Sequence, residues 1–179
     1  MPFIIWMTGL PSSGKSTLAK KLKEKISNLE ILDGDSLMDD LVAGTGTLSD
    51  GLGPGWSKQG RLDHTKRVAY VAKTLLKHSI PVCVAVISPF YESRETAKIV
   101  INDERLIQTY VKCSLEICET RDVKGMYKKA RDGGLENFTG VTGEYEIPDN
   151  PDLIIDTGNN SVDDNIKTIL SFLKEKKLL

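Results

Sequence analysis

Residues 9–17 read GLPSSGKST, and this stretch decides the fold of the chain. The apolar run Phe3–Met7 comes just before it and has the pattern of a strand that is buried on both faces. Apolar residues at helical spacing follow over 18–26, which predicts a helix from about Ser16 to Ser27. A glycine-rich turn that joins a buried strand to an amphipathic helix is the setting in which a loop wraps around a phosphate group.

The spacing G-x-x-x-x-G-K-S within this stretch predicts a nucleotide site, and we call residues 9–17 the phosphate-binding loop. Its glycines would let backbone N–H groups turn inwards around a phosphate, and the positive end of the following helix would face the same place. Lys15 would reach the β and γ phosphates of ATP or GTP, and the Ser16 hydroxyl would ligate Mg²⁺. The residues predicted to contact the nucleotide here are Gly9, Ser12, Ser13, Gly14, Lys15, Ser16 and Thr17.

Strand-length apolar runs alternate with longer stretches of helical period along the rest of the chain. The other predicted strands are 29–32, 81–87, 106–112 and 153–156. The other predicted helices are 57–78, 93–101 and 114–121. A last helix is predicted to begin at Ser161, in an S-x-x-D pattern. This alternation predicts one α/β domain over residues 1–179, with a parallel sheet covered by helices on both faces. The glycine-rich stretch 43–55 is predicted to be a mobile loop, and the charged segment 122–150 is a candidate lid.

Composition narrows the class of protein. The 179 residues carry 24 Lys and Arg against 25 Asp and Glu, which argues against a general nucleic-acid binder. Three cysteines without a CxxC pair are expected to be buried, reduced thiols in a cytoplasmic protein. The apolar runs are too short to span a bilayer, and the N-terminus has no signal-peptide pattern, so we expect no membrane association.

Two carboxylates in ILDGDSL, residues 31–37, favour a kinase over the other nucleotide-binding classes. The chain lacks the N/T-K-x-D motif with which GTP switches read guanine, and it is small for a mechanical ATPase. Asp33 and Asp35 follow a predicted strand, and residues two apart in an extended chain point the same way. One carboxylate could take the proton of an acceptor hydroxyl while the other orients Mg²⁺ through water. Asp35 could also cap a helix over 36–41, which is compatible with that role.

A kinase also needs mobile cations that close on the transferred phosphate, and residues 121–131 read RDVKGMYKKAR. The basic residues of this stretch are Arg121, Lys124, Lys128, Lys129 and Arg131. The alternative interpretation is a solvated charged helix face.

Seven motifs in chain order carry a family resemblance: TGLPSSGKST, LDGD, RVAYVAK, VISPF, RDVKGMYKKAR, ENFTGV and PDNPDLIIDT. They extend over nearly the whole chain, and the sequence resembles the adenylylsulfate (APS) kinase family. The resemblance implies ATP-dependent phosphorylation of the 3′-hydroxyl of APS to give PAPS and ADP, as part of sulfate assimilation. It also implies a three-layer P-loop kinase fold with a five-stranded parallel sheet and a mobile lid, a homodimer, and a pathway link to an ATP sulfurylase.

The resemblance further implies roles for individual residues. Asp35 is expected to be the base with Asp33 beside Mg²⁺, Lys15 and Lys129 to act on the transferred phosphate, and Arg121 and Thr157 to hold the ATP adenine. The residues implied on the substrate side are Asp35, Trp56, Arg61, His64, Ile87, Ser88, Lys124 and Phe138. Phe138 and Trp56 would sandwich the substrate base, and Ser88 falls where some members carry a phosphate.

Several departures from the family pattern fall on the acceptor side. Met38 stands where the family has a substrate arginine, Trp56 replaces a phenylalanine, and His64 stands where many members have asparagine. His64 could instead be a surface polar residue of a long helix. Val123 and Glu144 replace prolines. Either Lys58 or Lys66 supplies the missing cation, or the acceptor is another nucleotide 5′-diphosphate derivative such as cytidine diphosphoramidate. A third hypothesis is a non-catalytic regulator that binds nucleotides.

Overall fold

The computed structural model describes residues 1–34 and 57–179. Asp35, Met38 and Trp56 lie outside the described residues, as do the predicted loop 43–55 and the predicted helix 36–41. The described elements are β1 (Ile4–Thr8), α1 (Lys15–Lys25), β2 (Glu30–Asp33), α2 (Lys58–Lys77), β3 (Val82–Ala85), α3 (Tyr91–Ile101), β4 (Leu106–Lys112), α4 (Leu115–Arg121), α5 (Met126–Arg131), β5 (Leu153–Asp156) and α6 (Val162–Glu175).

The five described strands form one sheet in the order β2-β3-β1-β4-β5, and each neighbouring pair is parallel. The central strand is β1, in which Met7 pairs with Ala85 of β3 and with Thr109 of β4. Because the strands are parallel, their carboxyl ends lie along one edge of the sheet. The phosphate-binding loop, Asp33 and the residues after β3 therefore share that edge, where ligands bind in such sheets.

Side chains of Phe3 and of β1, which follows it, alternate between two apolar layers. Phe3, Ile5 and Met7 pack with buried residues of α1 and α6, whereas Ile4 and Trp6 pack on the other face with buried residues of α2 and α3. All five of these side chains are at most 1% exposed. A strand buried on both faces needs a helix layer on each side, so the predicted three-layer architecture is confirmed.

Serine side chains begin three of the helices. Ser57 accepts a hydrogen bond from Gly60 N at 3.1 Å, and Ser161 accepts one from Asp164 N at 3.2 Å, as the S-x-x-D pattern predicts. Ser114 does the same for α4. These contacts satisfy N–H groups that the first helical turn leaves without a backbone partner.

The sequence patterns did not predict helix α5, which lies inside the 122–150 segment. Tyr127 and Ala130 of this helix are each 2% exposed. They form a third apolar cluster with Cys113, Cys118, Leu135 and Phe138. This part of the segment packs against the rest of the protein, and its motion as a lid stays a prediction.

The three cysteines are free and buried, as the sequence predicts. Burial raises the pKa of the Cys83 thiol to about 12, so it is protonated at neutral pH. Among the described helices, none combines the length and the apolar character that crossing a bilayer requires.

Candidate active site

The phosphate-binding loop has space for glycine alone at its first position. A Cβ on Gly9 would lie 2.6 Å from Val111 O and 2.8 Å from Ser13 Oγ. Gly9 N also donates to Ile87 O at 3.4 Å, which ties the loop to the segment after β3. Gly14 has a φ of 98°, in the left-handed region that favours glycine. Gly9 is thus required because other atoms of the protein approach it closely, and Gly14 is required because of its backbone conformation.

Lys15 places a cation inside this loop. Its Nζ donates to Gly9 O at 2.9 Å, to Leu10 O at 2.7 Å and to Ser13 Oγ at 3.3 Å. The side chain is 8% exposed, so its charge acts in a site that is largely shielded from water. A shielded ammonium among inward-turned backbone groups suits the binding and polarisation of a phosphate.

Ser16 and Asp33, the two predicted metal ligands, meet at the carboxyl end of the sheet. The Ser16 hydroxyl donates to Asp33 Oδ2 at 2.5 Å. Among residues 1–34 and 57–179, no group of three or more His, Cys, Asp or Glu side chains is arranged to hold a metal ion. Mg²⁺ needs no such cluster, since it is held by one or two protein oxygens together with phosphate oxygens and water. The pair of a hydroxyl and a carboxylate fits that ion.

Arg121 and Thr157, predicted to hold the nucleotide base, lie together beside the loop. Arg121 Nη2 donates to Thr157 O at 2.6 Å, and Thr157 Oγ1 donates to Ser13 O at 2.6 Å. A Cβ on Gly14 would lie 3.6 Å from Thr157 Cγ2. Ser12, which has a φ of 59°, accepts a longer hydrogen bond from Arg121 through its carbonyl. Thr17 is exposed on α1.

On the other side of the loop lies the segment 87–91, which we call the acceptor segment. Ser88 within it is 5% exposed and has a φ of 43°. Trp6 Nε1 donates to Ser88 Oγ at 3.1 Å, and Arg94 Nη1 donates to Ser88 O at 3.0 Å. The buried hydroxyl of Ser88 is therefore engaged in the core, and a phosphate on it would have to break the contact with Trp6.

Arg61 contacts the chain next to Phe138. Arg61 Nη2 donates to the carbonyl of Asn137, the residue before Phe138, at 2.9 Å. Phe138 is 2% exposed and packs edge-on against Tyr127, with ring centroids 5.0 Å apart. Its stacking on a substrate base stays a prediction.

The predicted lid lysines are on the surface. Lys124 precedes α5, Lys129 lies on it, and both are exposed. The Asp122 carboxylate accepts from Tyr127 N at 3.0 Å and from Lys128 N at 3.1 Å, which fixes the start of α5. Lys129 thus projects from a helix that is anchored at its first turn, and Lys124 lies two residues before that helix.

His64 is held on α2, and its Nδ1 is buried without a hydrogen-bond partner in the described part of the chain. Burial lowers the pKa of His64 below its ordinary value of 6.5, and the cations of Arg67 and Arg61 lower it further. The unfolded chain therefore takes up this proton at a higher pH than the folded chain does. Stability linked to His64 is kept above about pH 6.5 and is lost as the pH falls towards the folded pKa.

We expect His64→Asn to flatten this acid-side loss of stability. Between about pH 7.5 and pH 5.5, the melting temperature of the variant should fall less than that of the wild type. His78→Asn is the matched control, because His78 is the other histidine of the chain and is exposed at the end of α2. Parallel pH profiles for wild type and His64→Asn would contradict the assignment.

Comparison with known proteins shows to which family the chain belongs. Residues 1–156 match the family model described as Adenylylsulphate kinase. The chain belongs to the adenylylsulfate kinase family. The adenylyl-sulfate kinase of Oceanobacillus iheyensis is 37% identical over 180 residues, which cover 98% of this chain and 86% of that one. The adenylyl-sulfate kinase of Clostridium kluyveri is 37% identical over 177 residues, covering 97% and 84%.

A solved adenylylsulfate kinase has the same fold. The APS kinase of Mycobacterium tuberculosis, in complex with AMPPNP and APS, superposes with a TM-score of 0.83 at 34% identity. The match covers 97% of this chain and 99% of that one. The predicted P-loop kinase fold and the family resemblance are confirmed.

Sequence reasoning missed several adenylylsulfate kinase residues that touch the two loops. Trp6, Thr8 and Tyr127 contact the phosphate-binding loop or the acceptor segment through side-chain hydrogen bonds, and Tyr145 bonds to Thr8. Each of these contacts joins residues that are at least 79 positions apart, so no local pattern could reveal them.

Proposed function

We propose that the chain transfers the γ-phosphoryl group of ATP to the 3′-hydroxyl of APS, giving PAPS and ADP. The observation that carries this proposal is the arrangement at the sheet edge. The phosphate-binding loop with Lys15 lies beside the Ser16–Asp33 pair, and the Gly9–Ile87 hydrogen bond joins the loop to the acceptor segment. A donor site and an acceptor site on one rigid edge suit the in-line positioning that phosphoryl transfer requires.

In the proposed reaction, the 3′-oxygen of APS forms a bond to the γ-phosphorus while the bond from that phosphorus to the β–γ bridging oxygen breaks. The proton of the hydroxyl passes to the carboxylate of Asp35, and the bridging oxygen leaves with ADP. Lys15 stabilises the charge that spreads over the phosphate oxygens. Lys129 on α5 and Lys124, which precedes α5, add to this stabilisation. Arg121 and Thr157 hold the adenine of ATP beside the loop.

Mg²⁺ would be held by the Ser16 hydroxyl and the Asp33 carboxylate. When bound there, it would neutralise the negative charge of the β and γ phosphates. The short contact between Ser16 and Asp33 supports this assignment because it brings two hard oxygen donors together beside Lys15.

Asp33→Ala is expected to raise the Mg²⁺ concentration needed for half-maximal activity by about 10- to 100-fold, since a metal-supporting group is lost. Titrating activity against Mg²⁺ at saturating ATP measures the change. Asp163→Ala is the control, because Asp163 is an exposed carboxylate on α6. A lower kcat with an unchanged Mg²⁺ requirement would place Asp33 outside the metal site.

The acceptor is tested directly with a panel of nucleotides. Purified chain, ATP and Mg²⁺ are incubated with APS or with a cytidine diphosphate derivative such as cytidine diphosphoramidate, and ADP release is followed. Efficient phosphorylation of APS supports the proposal. Turnover of the cytidine derivative alone would favour the second hypothesis, which Met38 motivates because the family arginine at that position is missing. Nucleotide binding without turnover of any acceptor would favour the non-catalytic regulator.

The setting of the reaction is also proposed. Buried free thiols suit the reducing cytoplasm. The homodimer and the pathway link to an ATP sulfurylase rest on the family resemblance, and sedimentation analysis of the purified chain tests the dimer.

A further inference from the structure

Two tyrosine hydroxyl groups attach the 122–150 segment to the phosphate-binding loop and to the end of β1. Tyr127, near its start, reaches the phosphate-binding loop, and Tyr145, near its end, reaches Thr8, the last residue of β1, whose hydroxyl donates to Ile87 of the acceptor segment. The segment is therefore joined to the phosphate-binding loop directly and to the acceptor segment by way of Thr8.

At the donor end, the Tyr127 hydroxyl donates to Pro11 O at 2.9 Å, and Pro11 lies within the phosphate-binding loop. Tyr127 is 2% exposed and is fixed from two directions. Its backbone N–H bonds to the carboxylate of Asp122, and its ring packs edge-on against Phe138. A buried hydroxyl with a protein acceptor has a well-defined position, so this bond links the placement of α5 to that of the loop.

At the acceptor end, Tyr145 bonds to a threonine that holds Ile87. Thr8 Oγ1 donates to Ile87 O at 2.6 Å and lies 3.0 Å from the Tyr145 hydroxyl. A hydroxyl has one hydrogen, so Thr8 accepts from Tyr145. The Tyr145 ring stacks on Tyr110, with centroids 6.4 Å apart and planes 23° apart.

The next residue extends this attachment along the acceptor segment. Glu146 N donates to Pro89 O at 2.8 Å, and the Glu146 carboxylate accepts a hydrogen bond from Tyr91 N. Glu146 therefore bonds to the middle and the end of residues 87–91, and Tyr145 reaches Ile87 at their start through Thr8.

We propose that Tyr127 and Tyr145 are positioning residues, Tyr127 for the ATP loop and Tyr145 for the acceptor segment. Neither hydroxyl takes part in the chemical step. Each fixes one end of the 122–150 segment, so that Lys124 and Lys129 stand over the transferred phosphate while both loops keep their geometry. This assignment rests on the proposed kinase activity and adds to it a division of labour between the two tyrosines.

Tyr127→Phe and Tyr145→Phe test the proposal, because each removes one hydroxyl and keeps the ring. Tyr127→Phe should raise the KM for ATP about three- to tenfold, because one hydrogen bond is lost. The KM for APS should change less than about twofold. Tyr145→Phe should show the reverse pattern. Tyr70→Phe, on an exposed side chain of α2, should change neither KM. Melting temperatures of all variants are measured alongside.

A purely structural role would lower the melting temperature and change both KM values together, or change neither. Either result overturns the proposal. Calorimetric titration with AMPPNP distinguishes a failure of the positioning proposal from a failure of the proposed kinase function. If the wild type does not phosphorylate APS, Tyr127→Phe should still weaken AMPPNP binding and Tyr145→Phe should not. Equal AMPPNP affinities for the two variants would overturn the donor half of the assignment.

Discussion

Lys15→Ala is expected to abolish phosphoryl transfer and to lower kcat about 1,000-fold or more. The reason is the loss of a preorganised positive group at the point where negative charge develops on the transferred phosphate. Lys15 is the cation that the described structure places inside the phosphate-binding loop, on the carbonyls of Gly9 and Leu10. Its charge is shielded from water, which strengthens its interaction with phosphate oxygens. No neighbouring side chain of the loop carries a positive charge that could replace it.

The measurement is ADP release under saturating ATP and APS, together with the melting temperature. Lys20→Ala is the matched control, because Lys20 lies on the same helix and is exposed. It should leave kcat near the wild-type value. A Lys15→Ala variant that stayed folded and kept more than about a tenth of the wild-type kcat would show that this lysine does not stabilise the transferred phosphate.

Asp35→Ala is expected to have the second-largest effect, lowering kcat by about 100- to 10,000-fold, the usual contribution of a general base. Asp35 lies two positions after Asp33, and the family resemblance assigns it the proton of the acceptor hydroxyl. Asp33 is already engaged by the Ser16 hydroxyl, so it suits the metal better than the proton.

ATP binding separates the two aspartates. AMPPNP affinity in the presence of Mg²⁺ should be nearly unchanged in Asp35→Ala, because the base acts on the acceptor. It should fall in Asp33→Ala, because the metal that bridges the protein to the phosphates is weakened. Normal turnover by Asp35→Ala would remove this residue from the role of base. Asp35→Glu keeps the carboxylate and should recover part of the activity.

Much of the fold could be predicted because its signals are local. The strands Leu106–Lys112 and Leu153–Asp156 were predicted to the residue. The first strand extends one residue further than predicted, to Thr8, whose polar hydroxyl is satisfied by Ile87 O. The third strand is shorter than predicted and ends at Ala85, although Val86 and Ile87 keep hydrogen bonds to Met7 and Gly9.

Helix α5 shows where sequence reasoning stopped. It has six residues, of which three are basic, and it buries only Tyr127 and Ala130. A helix this short has no independent stability and forms because of tertiary contacts. The motif predicted the phosphate-binding loop, and the strand pattern placed Asp33 at the same end of the sheet. The Trp6–Ser88, Tyr127–Pro11 and Tyr145–Thr8 bonds were not predictable, because they join residues 82, 116 and 137 positions apart.

The burial of Trp6 gives the protein an internal optical reference. The chain has two tryptophans, and Trp6 is 1% exposed with its indole N–H bonded to Ser88 Oγ. Its fluorescence should be emitted at short wavelength and resist quenching by iodide, because water and ions do not reach the ring. Emission from Trp56, at the position where the family resemblance expects the acceptor base to stack, can then be read against that constant background. Acceptor binding can therefore be followed in the unlabelled protein.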